Sequence, residues 1–240
     1  MALIDKITAI ANAIRGKTGG TDKLTLEQMA TEIAGIETGG SDGMLAAVLS
    51  ATATSVVDNT LEVISVRAFD NNKYLTNVSF PNLKRITSQY LFNVCSNLET
   101  VDVPQLEQIT GMHTFTGCAA LKTLTFPSLK FASAGNIFEN CTSLECVDFA
   151  NANITGGSIS SGTFTNCSAL KKVILRARNG IWAITNSNAF NGTPFASGGT
   201  GGTVYVPQAL IEKYKTATNW SSLHAAGTCN FAAIEGSEYE

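Results

Sequence analysis

Phenylalanine returns at Phe69, Phe92, Phe115, Phe138, Phe164 and Phe190, at intervals of 23, 23, 23, 26 and 26 residues. A fixed phrase follows each of the first five. Asn72, Cys95, Cys118, Cys141 or Cys167 comes three residues on, and Leu75, Leu98, Leu121, Leu144 or Leu170 six residues on. Val78, Val101, Leu124, Val147 and Val173 lie nine on, and Phe80, Val103, Phe126, Phe149 and Leu175 eleven on. Pro81, Pro104 and Pro127 close the first three copies. Five matched positions over five copies define a repeat, and no single packed layer reproduces such a pattern.

A period of 23 carrying L-x-x-V-x-[FV] is the signature of leucine-rich repeats, with one short strand per turn. Each turn leaves an apolar edge that only its neighbour covers, so turns stack at about 4.8 Å, the spacing of parallel strands. The expected fold is an α+β repeat solenoid of about six turns of 23–26 residues, a slab about 25–30 Å long.

One column then holds Cys95, Cys118, Cys141 and Cys167, which favours a reduced, inward-facing packing ladder of small hydrophobes, with Asn72 in the same slot of the first turn. Paired C-x₂₋₄-C spacing for zinc is absent, and the Cβ vectors of stacked cysteines run parallel, against a disulfide. Cys146 and Cys229 lie off the column.

The outward positions admit two readings. Thr76, Glu99, Lys122, Glu145 and Lys171 alternate in sign over four turns, so a slip of one turn would juxtapose like charges; this reads as register control. Alternatively they belong to a ligand face with Ser79, Asp102, Thr125 and Asp148, short polar groups suited to a hydroxylated ligand such as a glycan.

The ends differ from the middle. Leu3, Ile7, Ile10 and Ile14 form one helical stripe and Leu26, Met29, Ile33 and Ile36 a second. Thr25 and Gln28 make a capping box, with Leu24 and Met29 as its staple. Residues 1–37 therefore read as a helical hairpin for attachment or oligomerisation, since so small a unit seldom folds alone. A flexible linker over 38–43 leads to a solenoid over 44–202. Residues 203–240 are expected to form a strand and helical cap: a strand at "TVYVP", Pro207 opening a helix over "QALIEKYKTA", with Ala209 or Leu210, Tyr214 and Ala217 facing the last repeat and Trp220 and Phe231 sealing the end.

Several functions are disfavoured. "ANAIRGKT" matches a loose phosphate-loop pattern, but Gly16-Lys17-Thr18 closes a helix, where the dipole has the wrong sign for phosphate. His113 and His224 have no nucleophile or metal ligand nearby in sequence, so neither catalysis, a cofactor nor a metal is expected. A net charge of −3, with 15% charged residues, gives no field for nucleic acid. No apolar run reaches membrane-spanning length, and Asp5 and Lys6 interrupt any signal-peptide core, so membrane insertion and Sec-type export are not expected.

The repeat F-x-x-[CN]-x-x-L-x-x-V-x-[FV]-P resembles the BspA-like leucine-rich repeats of bacterial surface proteins and gut bacteriophage genomes. "GTPFASGGTGGTVYVPQALIEKYKTATNW" is similar to the closing segment of many such proteins, and "LIDKITAIANAIRGKTGGTDKLTLEQMATEI" resembles N-terminal segments of prophage tail and other virion proteins. The resemblance implies a non-enzymatic virion or tail-associated protein. Its hairpin would join other tail proteins or a second copy, and its repeats would meet a host-surface protein or glycan. The alternative it implies is a cell-surface adhesin of the BspA kind, located outside the cell; an intracellular scaffold ranks third. The longer fourth and fifth intervals depart from a uniform surface.

Overall fold

The computed structural model describes residues 53–151 and 157–240. The expected hairpin over 1–37, its stripes Leu3, Ile7, Ile10, Ile14 and Leu26, Met29, Ile33, Ile36, and the linker over 38–43 lie outside the described residues.

Strands are numbered in chain order. The front of the solenoid carries β1 (Ser55–Val57), β3 (Asn77–Ser79), β5 (Thr100–Asp102), β7 (Thr123–Thr125), β9 (Cys146–Phe149) and β11 (Lys172–Leu175), one per repeat. The back carries β2 (Val63–Ile64), β4 (Arg85–Ile86), β6 (Gln108–Ile109), β8 (Phe131–Ala132), β10 (Ser158–Ile159) and β12 (Ala183–Ile184). Every pairing is parallel, and register advances by one repeat at each step: Val78 opposes Val101, and Ile86 opposes Ile109. The expectation of one strand per turn is therefore corrected to two. A two-residue back strand buries a single aliphatic, such as Ile64, Ile86, Ile109 or Ile159, which is too little for a period-2 pattern to register.

Between the faces, the anchoring phenylalanines stack ring on ring. Centroids are 5.4 Å apart for Phe69–Phe92, 5.3 Å for Phe92–Phe115, 5.7 Å for Phe115–Phe138, 5.5 Å for Phe138–Phe164 and 5.2 Å for Phe164–Phe190. Leu75, Leu98, Leu121, Leu144 and Leu170 are fully buried beside them. Because each turn buries only part of its apolar surface alone, the column, and not any single turn, is the unit of stability.

The turn after each anchor needs a left-handed residue. Asn71, Val94, Gly117, Asn140, Asn166 and Gly192 all have φ between 56° and 72°. Asparagine and glycine tolerate this region; Val94, β-branched, does not. The turn aims each N–H at the next repeat: Val94 N donates to Thr116 O at 2.7 Å and Gly117 N to Glu139 O at 2.7 Å.

The sheets are interrupted at two places. On the front, β1–β3–β5 form one sheet and β7–β9–β11–β13–β14 another, where β13 is Gly202–Val206 and β14 is Cys229–Ala233; β5 does not pair with β7. On the back, β2–β4–β6–β8 and β10–β12 are separate, at the first lengthened interval. The two interruptions fall at different repeat boundaries, so each is bridged by an intact sheet on the opposite side.

After β13 come a 3-10 turn (Gln208–Leu210), α1 (Ile211–Thr216) and α2 (Trp220–Ala225). These lie against the sixth repeat. Trp182 N donates to the Tyr214 hydroxyl at 2.9 Å, Trp220 Nε1 donates to Trp182 O at 2.6 Å, and the Phe190 and Trp220 rings sit 5.7 Å apart. Neither α2 nor β14 is announced by sequence pattern.

Candidate binding surface

Along the front strands, alternate residues point into the core and out to solvent. The outward set includes Asn77, Thr100 and Thr123, then Ser79, Asp102, Thr125 and Asp148. Some of these groups are linked across repeats: Thr100 Oγ1 donates to Asn77 Oδ1 at 2.6 Å, and Ser79 Oγ donates to Asp102 Oδ2 at 2.7 Å.

The structure does not make the four-member column one uniform site. Ser79 and Asp102 are joined, Thr125 is exposed, and Asp148 is engaged from the side by Arg176. Arg176 Nε lies 3.0 Å from Asp148 Oδ1, and its Nη2 lies 3.0 Å from Oδ2. Arg176 Nη1 also donates to Tyr239 O at 2.6 Å, which straps the C-terminal segment over β11. Beside it, Lys172 Nζ donates to the Tyr239 hydroxyl at 2.6 Å and to Glu238 Oε1 at 2.9 Å. Hydrogen bonds to Tyr239 and then Lys172 hold the Glu238 carboxyl below its ordinary range, and those to Tyr239 and Glu238 raise the Lys172 ammonium above its own.

The alternating charges are stacked as expected but not ion-paired. Glu99 N donates to Thr76 O, Glu145 N to Lys122 O and Lys171 N to Glu145 O. Among the described residues no ion pair joins Glu99, Lys122, Glu145 and Lys171 to one another. Side chains this exposed are hydrated nearly as well apart as together. A second alternating column, on the back, does pair: Lys84 Nζ meets Glu62 Oε1 at 3.0 Å, and Lys130 Nζ meets Glu107 Oε1 at 2.8 Å. Its repeat spacing was available in the sequence.

At the β5/β7 interruption lies a depression of about 320 Å³ lined by Glu99, Val101, Asp102, Thr123, Thr125 and the flanking prolines Pro104 and Pro127, among others. Val101 is half-buried, whereas its counterparts Val78, Leu124, Val147 and Val173 are at most 3% exposed. Beneath it, Val103 stands where the neighbouring turns place Phe80 and Phe126, so the front wall is least filled where the ladder stops.

A further cluster was invisible to a reading centred on local neighbours. Arg67, Tyr90 and His113 occupy one repeat position: the Arg67 guanidinium carbon is 4.2 Å from the Tyr90 ring centre, and the Tyr90 and His113 rings stack at 4.8 Å. His113 Nδ1 lies 3.2 Å from Thr116 Oγ1 and 3.5 Å from Glu139 Oε2. The faces of Tyr90 are thus covered by its own neighbours. His224 donates from Nδ1 to Cys229 O at 3.0 Å.

The cysteine ladder is free and fully buried, as expected for packing, and also hydrogen-bonded, which was not. Cys95, Cys118, Cys141 and Cys167 donate to the carbonyls of Phe69, Phe92, Phe115 and Phe138, at 2.9–3.1 Å. Burial pushes the Cys95 thiol up to about 12 and raises Cys118 and Cys141 well above their ordinary value. In the first turn Asn72 accepts from Tyr74 N and Leu75 N instead. Among the described residues no group of three or more His, Cys, Asp or Glu side chains converges to hold a metal, and no helix is long and apolar enough to cross a membrane.

Parallel short strands, stacked anchors and one buried leucine per turn define a leucine-rich repeat solenoid. The profile of the BspA type leucine rich repeat region, six copies, matches residues 50–171 and 90–198, and the chain belongs to that family. No curated protein matches it. Among solved structures it is similar to the T. pallidum leucine-rich repeat protein, with 21% identity over 76% of this chain and 87% of that one, at a TM-score of 0.45. The pneumococcal vaccine antigen PcpA shares 14% identity over 76% of this chain at a TM-score of 0.50, and the match spans 42% of that antigen. A leucine-rich repeat protein from Bacteroides ovatus shares 22% identity over 61% of this chain and 47% of that one, at a TM-score of 0.38.

Proposed function

We propose that the chain is a non-enzymatic binding protein that presents the front of its repeat region to a surface partner, in the manner of a BspA-type adhesin, and engages host protein or glycan. The observation that supports this most is the front face itself. Its strands turn one row of side chains inward, all buried except the half-buried Val101, and hold the opposite row, Asn77, Thr100, Ser79 and Asp102, in a hydrogen-bonded polar array facing solvent. In this reading residues 1–37 attach or self-associate, 44–202 are displayed, and 203–240 cap the last turn. Tyr214 and Trp220 supply the polar partners that a seventh repeat would otherwise provide.

A second reading places the same display on a phage particle, with the hairpin docking to tail proteins. The resemblance of residues 3–33 to virion proteins favours it. One experiment separates the two: mass spectrometry of gradient-purified induced particles beside the envelope fraction of uninduced cells. Recovery with particles supports the virion placement and recovery with the envelope the adhesin. Recovery only in the soluble cytoplasmic fraction overturns both.

A further inference from the structure

The polar column that runs along the front through Ser79, Asp102, Thr125 and Asp148 changes character towards the C-terminal end. Ile174 stands in register with Asp148, and Tyr205 in register with Ile174. Val173 and Leu175 point into the core, so Ile174, between them, points outward. Yet Ile174 is 1% exposed and packs outside the core cluster that holds its two neighbours. The contacts around it are those of the C-terminal segment. The Tyr239 ring meets Tyr205 edge-on at 4.6 Å, its hydroxyl takes Lys172 Nζ, and its carbonyl takes Arg176 Nη1.

Residues 235–240 sit on the front as a ligand sits in a site. Strand β14 ends at Ala233, and among the described residues no ladder joins the segment to the sheet. Each tie to the body runs through a side chain, that of Glu235 to Gln208 N included. The Lys172 and Glu238 side chains are 42% and 65% exposed, and ion pairs at such positions hold weakly. The segment is also its own turn: Ser237 N donates to Ile234 O and Glu240 N to Ser237 O. Local opening therefore leaves the repeats folded. It uncovers an apolar floor, Ile174 and Tyr205, beside two cations, Lys172 and Arg176. That combination takes an acidic, aromatic segment, which is what the chain supplies in Glu238 and Tyr239.

We propose that the front of β11 and β13 is a docking site for a segment of a partner protein in which an acidic residue precedes tyrosine, and that residues 235–240 occupy it in cis as a displaceable stand-in. The partner's carboxylate meets Lys172, its ring meets Tyr205 and Ile174, and its main-chain carbonyl meets Arg176. Tethering keeps the tail at high effective concentration, so a partner enters by binding better or by being in excess. The site is separate from the polar array of β3 and β5 and does not depend on that array binding anything.

Cys146 reports on the strap, because it lies in register with Lys172 and is the one half-buried thiol of the six. The test uses the full chain, a fluorescein-labelled peptide of residues 235–240, Glu-Gly-Ser-Glu-Tyr-Glu, and a thiol reagent. Glu238→Gln with Tyr239→Ala, which empties the site, should bind the peptide about tenfold more tightly than the native chain. Its Cys146 should label about tenfold faster, and bound peptide should slow that labelling again. Adding Lys172→Glu should weaken the peptide about tenfold, as should lysine in place of the peptide's second glutamate. Labelling of all six thiols would mark a variant that does not fold; the native chain then decides, since it must bind the peptide saturably at higher concentration. Unchanged affinity and labelling on emptying the site overturn the proposal, as does binding indifferent to Lys172→Glu or a native chain that never binds. A native dimer whose mass halves with the tail substitutions shows the segment exchanged between copies, and overturns the assignment to a partner.

Discussion

The thiol of Cys118 donates to the carbonyl oxygen of Phe92, one turn back, at 3.1 Å, inside a core that excludes water completely at both residues. The same bond recurs at Cys95, Cys141 and Cys167. Alanine at this position would lose both the packed sulfur and, among the described residues, the only side-chain donor reaching that carbonyl. Cys118→Ala should lower stability by about 2 kcal/mol in urea titration, with the front face still able to bind. Cys118→Ser, keeping a donor, should not simply restore it, because the hydroxyl is more costly to bury than the thiol.

Burial of these thiols also sets an alkaline limit. Cys95 and Cys229 are pushed from about 9 up to about 12, and Cys118 and Cys141 move the same way. Above pH 9 the unfolded chain loses these protons and the folded one keeps them, so the unfolded state binds fewer protons and stability falls. Each thiol contributes a slope of ~1.4 kcal/mol per pH unit until its folded value is passed. Urea midpoints should hold steady up to about pH 8 and then drop steeply by pH 10.5. The half-buried Cys146 should react with a thiol reagent first.

Val94 holds φ at 56° in a column where its counterparts are asparagine or glycine. Its side chain is 38% exposed, so little packing is lost on replacement. Val94→Asn should raise stability by about 1 kcal/mol, seen as a higher thermal midpoint.

Tyr214 accepts the buried Trp182 N–H at the end of the repeats. Tyr214→Phe leaves that donor without its partner, and should cost about 1–3 kcal/mol. Local unfolding should then begin at residues 182–233, visible as early loss of tryptophan fluorescence.

Arg176 binds both Asp148 and the Tyr239 carbonyl from a position about one-quarter exposed. Arg176→Ala should cost about 2 kcal/mol and release residues 235–240 to proteolysis before the repeats are cut.

The layers of phenylalanine, leucine and cysteine were legible because each turn repeats them at one distance, and burial followed from periodicity alone. The left-handed column was legible in principle at five of the six anchors, where Asn71, Gly117, Asn140, Asn166 and Gly192 stand two residues on; Val94, after Phe92, hides it. The back strands were not, since Arg85–Ile86 or Gln108–Ile109 gives a two-residue strand no alternation to show. Asp148 looked available because its partner, Arg176, sits 28 residues on, off the repeat spacing, and the Glu99–Lys122 alternation suggested pairs that hydration does not favour. The open front at β5 and β7 coincides with Val103 standing where neighbouring turns carry phenylalanine, but Leu175 holds the same slot in a fully paired strand, so no pattern of apolar letters announces the break.

That open front also changes how the molecule carries load. A solenoid paired on both sides resists bending like a solid beam. Here the front is notched at one joint, while the ring column and the β6–β8 pairing run on behind it. Bending at this joint pivots on the β6–β8 pairing, and one turn further on, where β8 and β10 do not pair, it pivots on the front strands instead. A load applied along the solenoid would meet compliance first at these two offset joints, before any turn came apart.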